Sequence, residues 1–228
     1  MNTTLIDSPF ANIANIARAL RVAGATLDVT RDASAIAGAP KLVLPGVGSF
    51  AAAMNWLRET HLDAAITEAV GNGTYLLGIC VGHQLLFDSS EEMGTTRGLG
   101  LVRGEVRKFE GTLPVPQIGW NRLALREEVG VRLQASGPLR LTERVVHAEQ
   151  PGSPTPEADL FSGIEDATSF YFVNSYAARD AEDEIASADY DGAFTAAVQR
   201  ERVFGVQFHP EKSSTAGLRV LRNFVACN

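Results

Sequence analysis

Along the first third of the chain, short apolar runs alternate with longer stretches in which apolar residues recur every three or four positions. Thr3-Thr4-Leu5-Ile6 reads as a buried strand closed by Asp7-Ser8-Pro9. From Asn12 to Ala23, the positions Ile13, Ile16, Leu20 and Ala23 have the spacing of an amphipathic helix, and Gly24 stands where such a helix ends. Ala25–Thr30 and Lys41–Leu44 read as further strands, residues 49–59 and 61–72 as helices ending at Gly71-Asn72-Gly73, and Tyr75–Ile79 as a fourth strand. Strands separated by helical stretches pair in parallel through crossovers. The pattern predicts an α/β fold, a flavodoxin-like open mixed sheet with helices on both faces, with ligands bound beyond the carboxyl ends of the strands.

After Leu86 the pattern changes. Glycines at 94, 98, 100 and 104 mark loops, and Gly104–Phe109 reads as a strand. Val115–Asn121 is short and rigid, and the large aromatic Trp120 is read there as a core anchor in preference to an interface residue. Residues 122–168 show no clear period, and their proline-rich piece, 150–156, reads as a surface loop. Strand composition returns at 170–176, and 193–200 with 203–207 form a hairpin around Glu201-Arg202. The expectation is one domain over residues 1–228, with an extended loop or insertion around 126–160.

Composition narrows the partners. A net charge of −7 over 228 residues argues against nonspecific nucleic-acid binding, and 45% apolar residues is the ordinary balance of a globular protein. Two cysteines, Cys80 and Cys227, are too few for a disulfide framework and fit a reducing compartment. Met1-Asn2-Thr3-Thr4 begins no signal peptide, and no apolar run is long enough to span a bilayer, so a cytoplasmic protein is expected. No metal-ligand spacing and no phosphate-binding G-x-x-x-x-G-K motif occurs, so neither metal nor other cofactor is expected.

Three segments carry candidate chemistry. Gly78-Ile79-Cys80-Val81-Gly82 is the cysteine form of the nucleophile elbow, in which small flanking residues admit a sharp strand-to-helix turn. The N–H groups of the helix that follows favour a thiolate. Taken alone, the segment fits a buried structural cysteine equally well. Pro45-Gly46-Val47-Gly48-Ser49-Phe50 frees the backbone between a strand and a helix, so its N–H groups can hold an anion or an oxyanion, or simply form a loop. At the far end of the chain, His209-Pro210-Glu211 places two side chains on one face of an extended segment, as an imidazole base and an orienting carboxylate require, although a surface pair would look the same.

Together these motifs resemble the class I, triad-type glutamine amidotransferases, through Gly78–Gln84 and Phe208-His209-Pro210-Glu211. The resemblance implies that Cys80 attacks the carboxamide of glutamine, His209 shuttles the proton and Glu211 holds His209. It implies an oxyanion hole from Val81 and the Gly46-Val47-Gly48 turn, and glutamine contacts from Gln84, Ser175 and Tyr176. Within the family the chain is most similar to the glutaminase subunits of imidazole glycerol phosphate synthases, through Leu44–Phe50, Pro116–Asn121, Tyr171–Tyr176 and Gly205–Ser213. That similarity implies a heterodimer with a (β/α)₈-barrel cyclase facing Asn12, Asn15, Trp120 and Lys212, ammonia channelled to it, and a place in histidine biosynthesis. An oxyanion turn held misaligned until the acceptor is bound is also expected, from the flexible backbone at 46–48.

Three departures bear on the partner rather than the triad. The opening loop Ser8-Pro9-Phe10-Ala11 lacks the family's two glycines, Asn174 stands where many members carry histidine, and the segment between Trp120 and Phe170 is longer by roughly thirty residues. The alternatives are a glutaminase serving another synthase, such as one aminating a surface sugar, an independent glutamyl hydrolase, and a non-catalytic subunit of the same fold.

Overall fold

A computed structural model describes residues 2–126, 159–179 and 181–227. The proline-rich piece at 150–156 and most of the extended loop expected around 126–160 lie outside the described residues. The amino-terminal half runs β1 (Asn2–Ile6), α1 (Ile13–Val22), β2 (Thr26–Thr30), α2 (Ala33–Ala37), β3 (Lys41–Gly46), α3 (Phe50–Glu59), α4 (Leu62–Gly71), β4 (Tyr75–Cys80) and α5 (Val81–Gln84). It continues with β5 (Ser89–Ser90), β6 (Thr96–Arg97), β7 (Glu105–Lys108), β8 (Gln117–Arg122) and β9 (Ala124–Leu125). The carboxyl-terminal part holds β10 (Ser169–Asn174), β11 (Tyr176–Ala178), β12 (Glu184–Asp189), β13 (Ala193–Arg200), β14 (Val203–Val206), a 3-10 turn at Pro210–Lys212 and α6 (Ser214–Ala226).

The main sheet has eight strands in the order β2-β1-β3-β4-β14-β13-β12-β9. The strands β2, β1, β3, β4 and β14 are mutually parallel, and β13, β12 and β9 continue antiparallel, which makes the open mixed sheet expected from the sequence. β3 is buried along its whole length and β4 along nearly all of it, as strands covered on both faces must be. The amphipathic α1 packs against α6, while α4 packs against both α2 and α3. β8 and β10 form a separate two-stranded ribbon, and β11, β7, β5 and β6 a small third sheet.

Two sequence expectations are corrected. The apolar run 170–176 is not one strand, because the chain breaks at Ser175, with β10 pairing β8 and β11 pairing β7. Trp120 is not a core residue, being 57% exposed. It sits on a two-stranded ribbon with an open face, supported at its edge by the Tyr171 ring at 6.1 Å.

The carboxyl-terminal half is fastened by aromatics and one buried cation. Phe170, Phe172 and Phe208 are fully buried, and Phe208 lies 4.2 Å from Phe170 and 5.8 Å from Phe172 between ring centroids. Lys41, 3% exposed at the start of β3, reaches the end of α6 and donates to the carbonyls of Val225 (2.6 Å) and Cys227 (2.8 Å). Its ammonium also lies 5.7 Å from the ring centres of Tyr75 and Phe224. Burial lowers the Lys41 pKa, and the nearby Cys227 counters it. A cation at a helix C-terminus satisfies carbonyls that the helix itself cannot. Lys41→Met should therefore cost about 1–3 kcal/mol of unfolding free energy, measured by urea denaturation. A change of only a few tenths would show that water replaces the ammonium.

Candidate active site

Cys80 closes β4 with φ 55° and ψ −111°, a conformation that non-glycine residues avoid, and α5 begins at the next residue. The glycines around it are demanded by backbone contact. A Cβ on Gly82 would fall 1.9 Å from the Leu44 carbonyl oxygen, and one on Gly78 would fall 2.6 Å from the Gly82 oxygen. Gly46, opposite Cys80 in the ladder, would meet Gly82 N and Val81 Cβ at 3.0 Å. The elbow thus rests directly on the backbone of β3. α5 is a single turn, so its dipole adds little and the local N–H groups carry the electrostatic effect.

His209 follows β14, the strand parallel to β4, and is buried at 3% exposure. Its N–H donates to the Tyr171 carbonyl, and its own carbonyl accepts from the Ser213 hydroxyl, whose oxygen also accepts from Tyr171 N–H. The segment is extended only at His209. At Pro210 it turns into the 3-10 helix, which carries the Glu211 carboxylate to 2.9 Å from His209 Nδ1. A fully extended segment was the expectation; the turn achieves the same pairing by folding the carboxylate back. The second Glu211 oxygen is buried without a partner, so the carboxylate acts on His209 alone. Burial by itself would lower the imidazole pKa, but hydrogen bonding to Cys80 and Glu211 and the negative charge of both outweigh it, raising the value to about 10. His209 therefore holds its proton at neutral pH, as a donor to a leaving amine must.

A cavity of about 460 Å³ joins the carboxyl ends of β3, β4 and β10 with the His209 segment. Val47, Gly48, Cys80, Val81, Gln84, Ser175, Tyr176, His209 and Lys212 all line it, so most of the residues singled out in the sequence meet in one place. Gly46 lies beneath the elbow and Glu211 behind His209. The Val47 N–H donates to the Phe10 carbonyl and is thereby directed to the opening loop. Phe10 is itself held by a Ser8 hydroxyl that accepts from its N–H (3.1 Å) and by the edge of the Trp56 ring (6.3 Å). The loop that departs from the family pattern is thus the loop that grips the glycine turn.

Sequence reasoning overlooked Glu92 and Gln207. Glu92 lines the cavity and accepts from the Phe50 N–H at 2.6 Å, capping α3 where Ser49 makes no side-chain cap. In the sequence it stands beside Glu91 in a loop, where nothing marks it. Gln207 is fully buried and lies two residues before His209, a spacing that could have placed it on the same face of the segment. His83 is fully buried, and its ring meets Phe87 edge-on at 5.1 Å. Burial pushes its pKa down to about 3, so it is a neutral packing residue and no base.

Of the residues expected at a partner surface, Lys212 lines the cavity and Asn12, Asn15 and Trp120 lie outside it. Asn12 and Asn15 are at the start of α1, where the Asn12 side chain accepts from Asn15 N–H. Trp120 and Lys212 flank Tyr171, with the Lys212 ammonium 5.7 Å from its ring centre. Among the described residues, no His, Cys, Asp and Glu group could hold a metal ion, and no helix is long and apolar enough to cross a membrane.

Comparison with known proteins agrees with this geometry. The family described as Glutamine amidotransferase class-I matches residues 4–227. The chain is 39% identical to the imidazole glycerol phosphate synthase subunit HisH of Salinibacter ruber, over 98% of this chain and 94% of that protein. It is 41% identical to the subunit of the same name from Thermococcus kodakarensis, covering 96% and 97% respectively. Among solved structures, a glutamine amidotransferase superposes with a TM-score of 0.67 at 17% identity, over 97% of this chain and 96% of that one. PurLQS from Thermotoga maritima gives a TM-score of 0.65 at 16% identity, over 98% and 96%. At these identities the structural matches speak for the fold alone.

Proposed function

The chain belongs to the class-I glutamine amidotransferases, and from that premise we propose that it is the glutaminase subunit of an imidazole glycerol phosphate synthase. The observation that carries the reading is the single cavity joining the strained Cys80 elbow to the His209–Glu211 pair. In the proposed reaction the Cys80 thiolate adds to the carboxamide carbon of L-glutamine. The developing oxyanion is held by the Val81 N–H and the glycine turn. His209 passes its proton to the amine, the C–N bond breaks and ammonia leaves. Water, deprotonated by His209, then cleaves the glutamyl thioester and returns Cys80. Glu211 keeps the imidazole in orientation throughout.

Gln84, Ser175 and Tyr176 bind the body of the substrate, and the Glu92 carboxylate complements its α-ammonium group. Asn12, Asn15, Trp120 and Lys212 face a (β/α)₈-barrel cyclase, which uses the ammonia to form imidazole glycerol phosphate and an aminoimidazole carboxamide ribotide in histidine biosynthesis. The names of the relatives, the exposed Ile118 (64%) and Trp120 (57%), and the exposed Val115 beside the cavity-lining Pro116 support a docked partner. The Val47 contact with Phe10 supports an oxyanion turn that becomes productive only when the partner is in place.

The test is glutamate release from L-glutamine by the purified chain, alone and with the cyclase and its ligand. The cyclase should stimulate hydrolysis by about 10²-fold or more, the scale of supplying a missing oxyanion donor. A full rate without any partner would point to an independent hydrolase.

A further inference from the structure

We propose that Gln207 serves the glutaminase site twice: its amide nitrogen donates to the Cys80 sulfur, and its carbonyl oxygen fixes Gln84 so that Gln84 offers the cavity an acceptor. This deepens the glutaminase reading and rests on it for the identity of the ligand.

Gln207 is held before its side chain does anything. It is fully buried, and its backbone N–H donates to the Ala196 carbonyl at 2.8 Å. Its Oε1 accepts from Gln84 Nε2 at 2.9 Å, and its own Nε2 lies 3.9 Å from Cys80 Sγ. The orientation of the amide follows from the chemistry, because the reverse would set two NH₂ groups against each other.

The consequence for Gln84 is a count of donors. Its NH₂ group has two N–H bonds; one goes to Gln207, and Nε2 also donates to the Tyr176 carbonyl at 2.8 Å. Both donors are engaged, which leaves Oε1 as the polar atom that Gln84 can turn to the cavity it lines. An acceptor there selects ligands rich in N–H, as glutamine is at both ends.

For the nucleophile, the sulfur has a donor and an acceptor at equal reach. The Val173 carbonyl, also 3.9 Å away, suits the thiol, whereas Gln207 Nε2 suits the thiolate. The charged groups around the same cavity are His209 with Glu211 behind it, Glu92 and Lys212. Gln207 differs from all of them in having no proton to exchange, so its contribution persists in every protonation state of His209.

Two variants separate the roles. Gln207→Met keeps length and volume and removes both contacts; Gln207→Glu keeps an acceptor for Gln84 and removes the amide donor. With Cys227 replaced by alanine, alkylation of Cys80 by iodoacetamide is followed from pH 5 to 10. Both variants should react about threefold to tenfold more slowly at pH 7, with the profile moved to higher pH. In the Cys80→Ala chain, calorimetry should show L-glutamine binding weakened about tenfold by Gln207→Met and within about threefold of the parent for Gln207→Glu. Alkylation profiles matching the parent in both variants would overturn the sulfur contact, and unchanged affinity in Gln207→Met would overturn the fixing of Gln84. If the Cys80→Ala chain binds no glutamine with Gln207 intact, the glutaminase reading itself falls, while the alkylation rates still decide the sulfur contact.

Discussion

Replacing Cys80 with alanine is expected to lower glutamine hydrolysis about 10⁴-fold or more, measured as glutamate release in the presence of the cyclase. No other group in the cavity can take its place. The hydroxyls of Ser175 and Tyr176 share the cavity, but the imidazole and its carboxylate are committed to the elbow position. Alanine should be accepted structurally, since it meets the same positive φ and removes one buried sulfur. The variant should therefore stay folded and still bind glutamine, which separates loss of chemistry from loss of structure. Appreciable turnover by the variant would remove Cys80 from the mechanism.

Gly82→Ala is expected to act on the whole molecule. The new methyl would lie 1.9 Å from the carbonyl oxygen of Leu44, inside the buried strand β3. Neither partner is the end of a flexible side chain, so the elbow and the central sheet must separate. The cost should exceed about 3 kcal/mol, and thermal unfolding should move down by roughly 10 °C or the chain should fail to accumulate in folded form. Gly71→Ala is the control: nothing lies within 4 Å of its Cβ position at the end of α4, and the change should be neutral or slightly stabilising. A Gly82→Ala protein as stable as the parent would mean that the elbow does not rest on β3.

The amino-terminal half was legible because its local signals agree with one another. Apolar strands, helical periods and glycine stops all point to the same crossovers, and β1 to β4 lie within a residue or two of the spans read from the sequence. The meeting of Cys80 with the His209–Glu211 pair in one cavity was foreshadowed for a different reason, since an elbow and a His-x-Glu pair each need unusual local sequence. The helix α6 carries a readable period at Gly217, Val220, Leu221, Phe224 and Val225, the face that it buries. β12, with its small alanines, has no strong strand composition and exists because β13 and β9 pair with it. The exposure of Trp120 depends on which strand β8 pairs with, a long-range fact that its own neighbours do not encode. Glu92 was invisible for the same reason, and Gln207 was marked only by its spacing from His209, because their meaning comes from Phe50, Gln84 and Cys80 far along the chain.

The order of strands in the main sheet has a consequence for synthesis. β14 lies between β4 and β13, although it comes from the last tenth or so of the chain. Until residues 203–206 have left the ribosome, β4 is an edge strand with an open row of backbone groups beside an almost wholly buried apolar sequence. Cys80 sits at the end of that edge. A nascent or truncated chain would thus expose an aggregation-prone ladder and an unguarded thiol together, and the strand that caps the ladder leads directly into the segment bearing His209. Closing the sheet and bringing His209 to Cys80 are one event in the birth of the molecule.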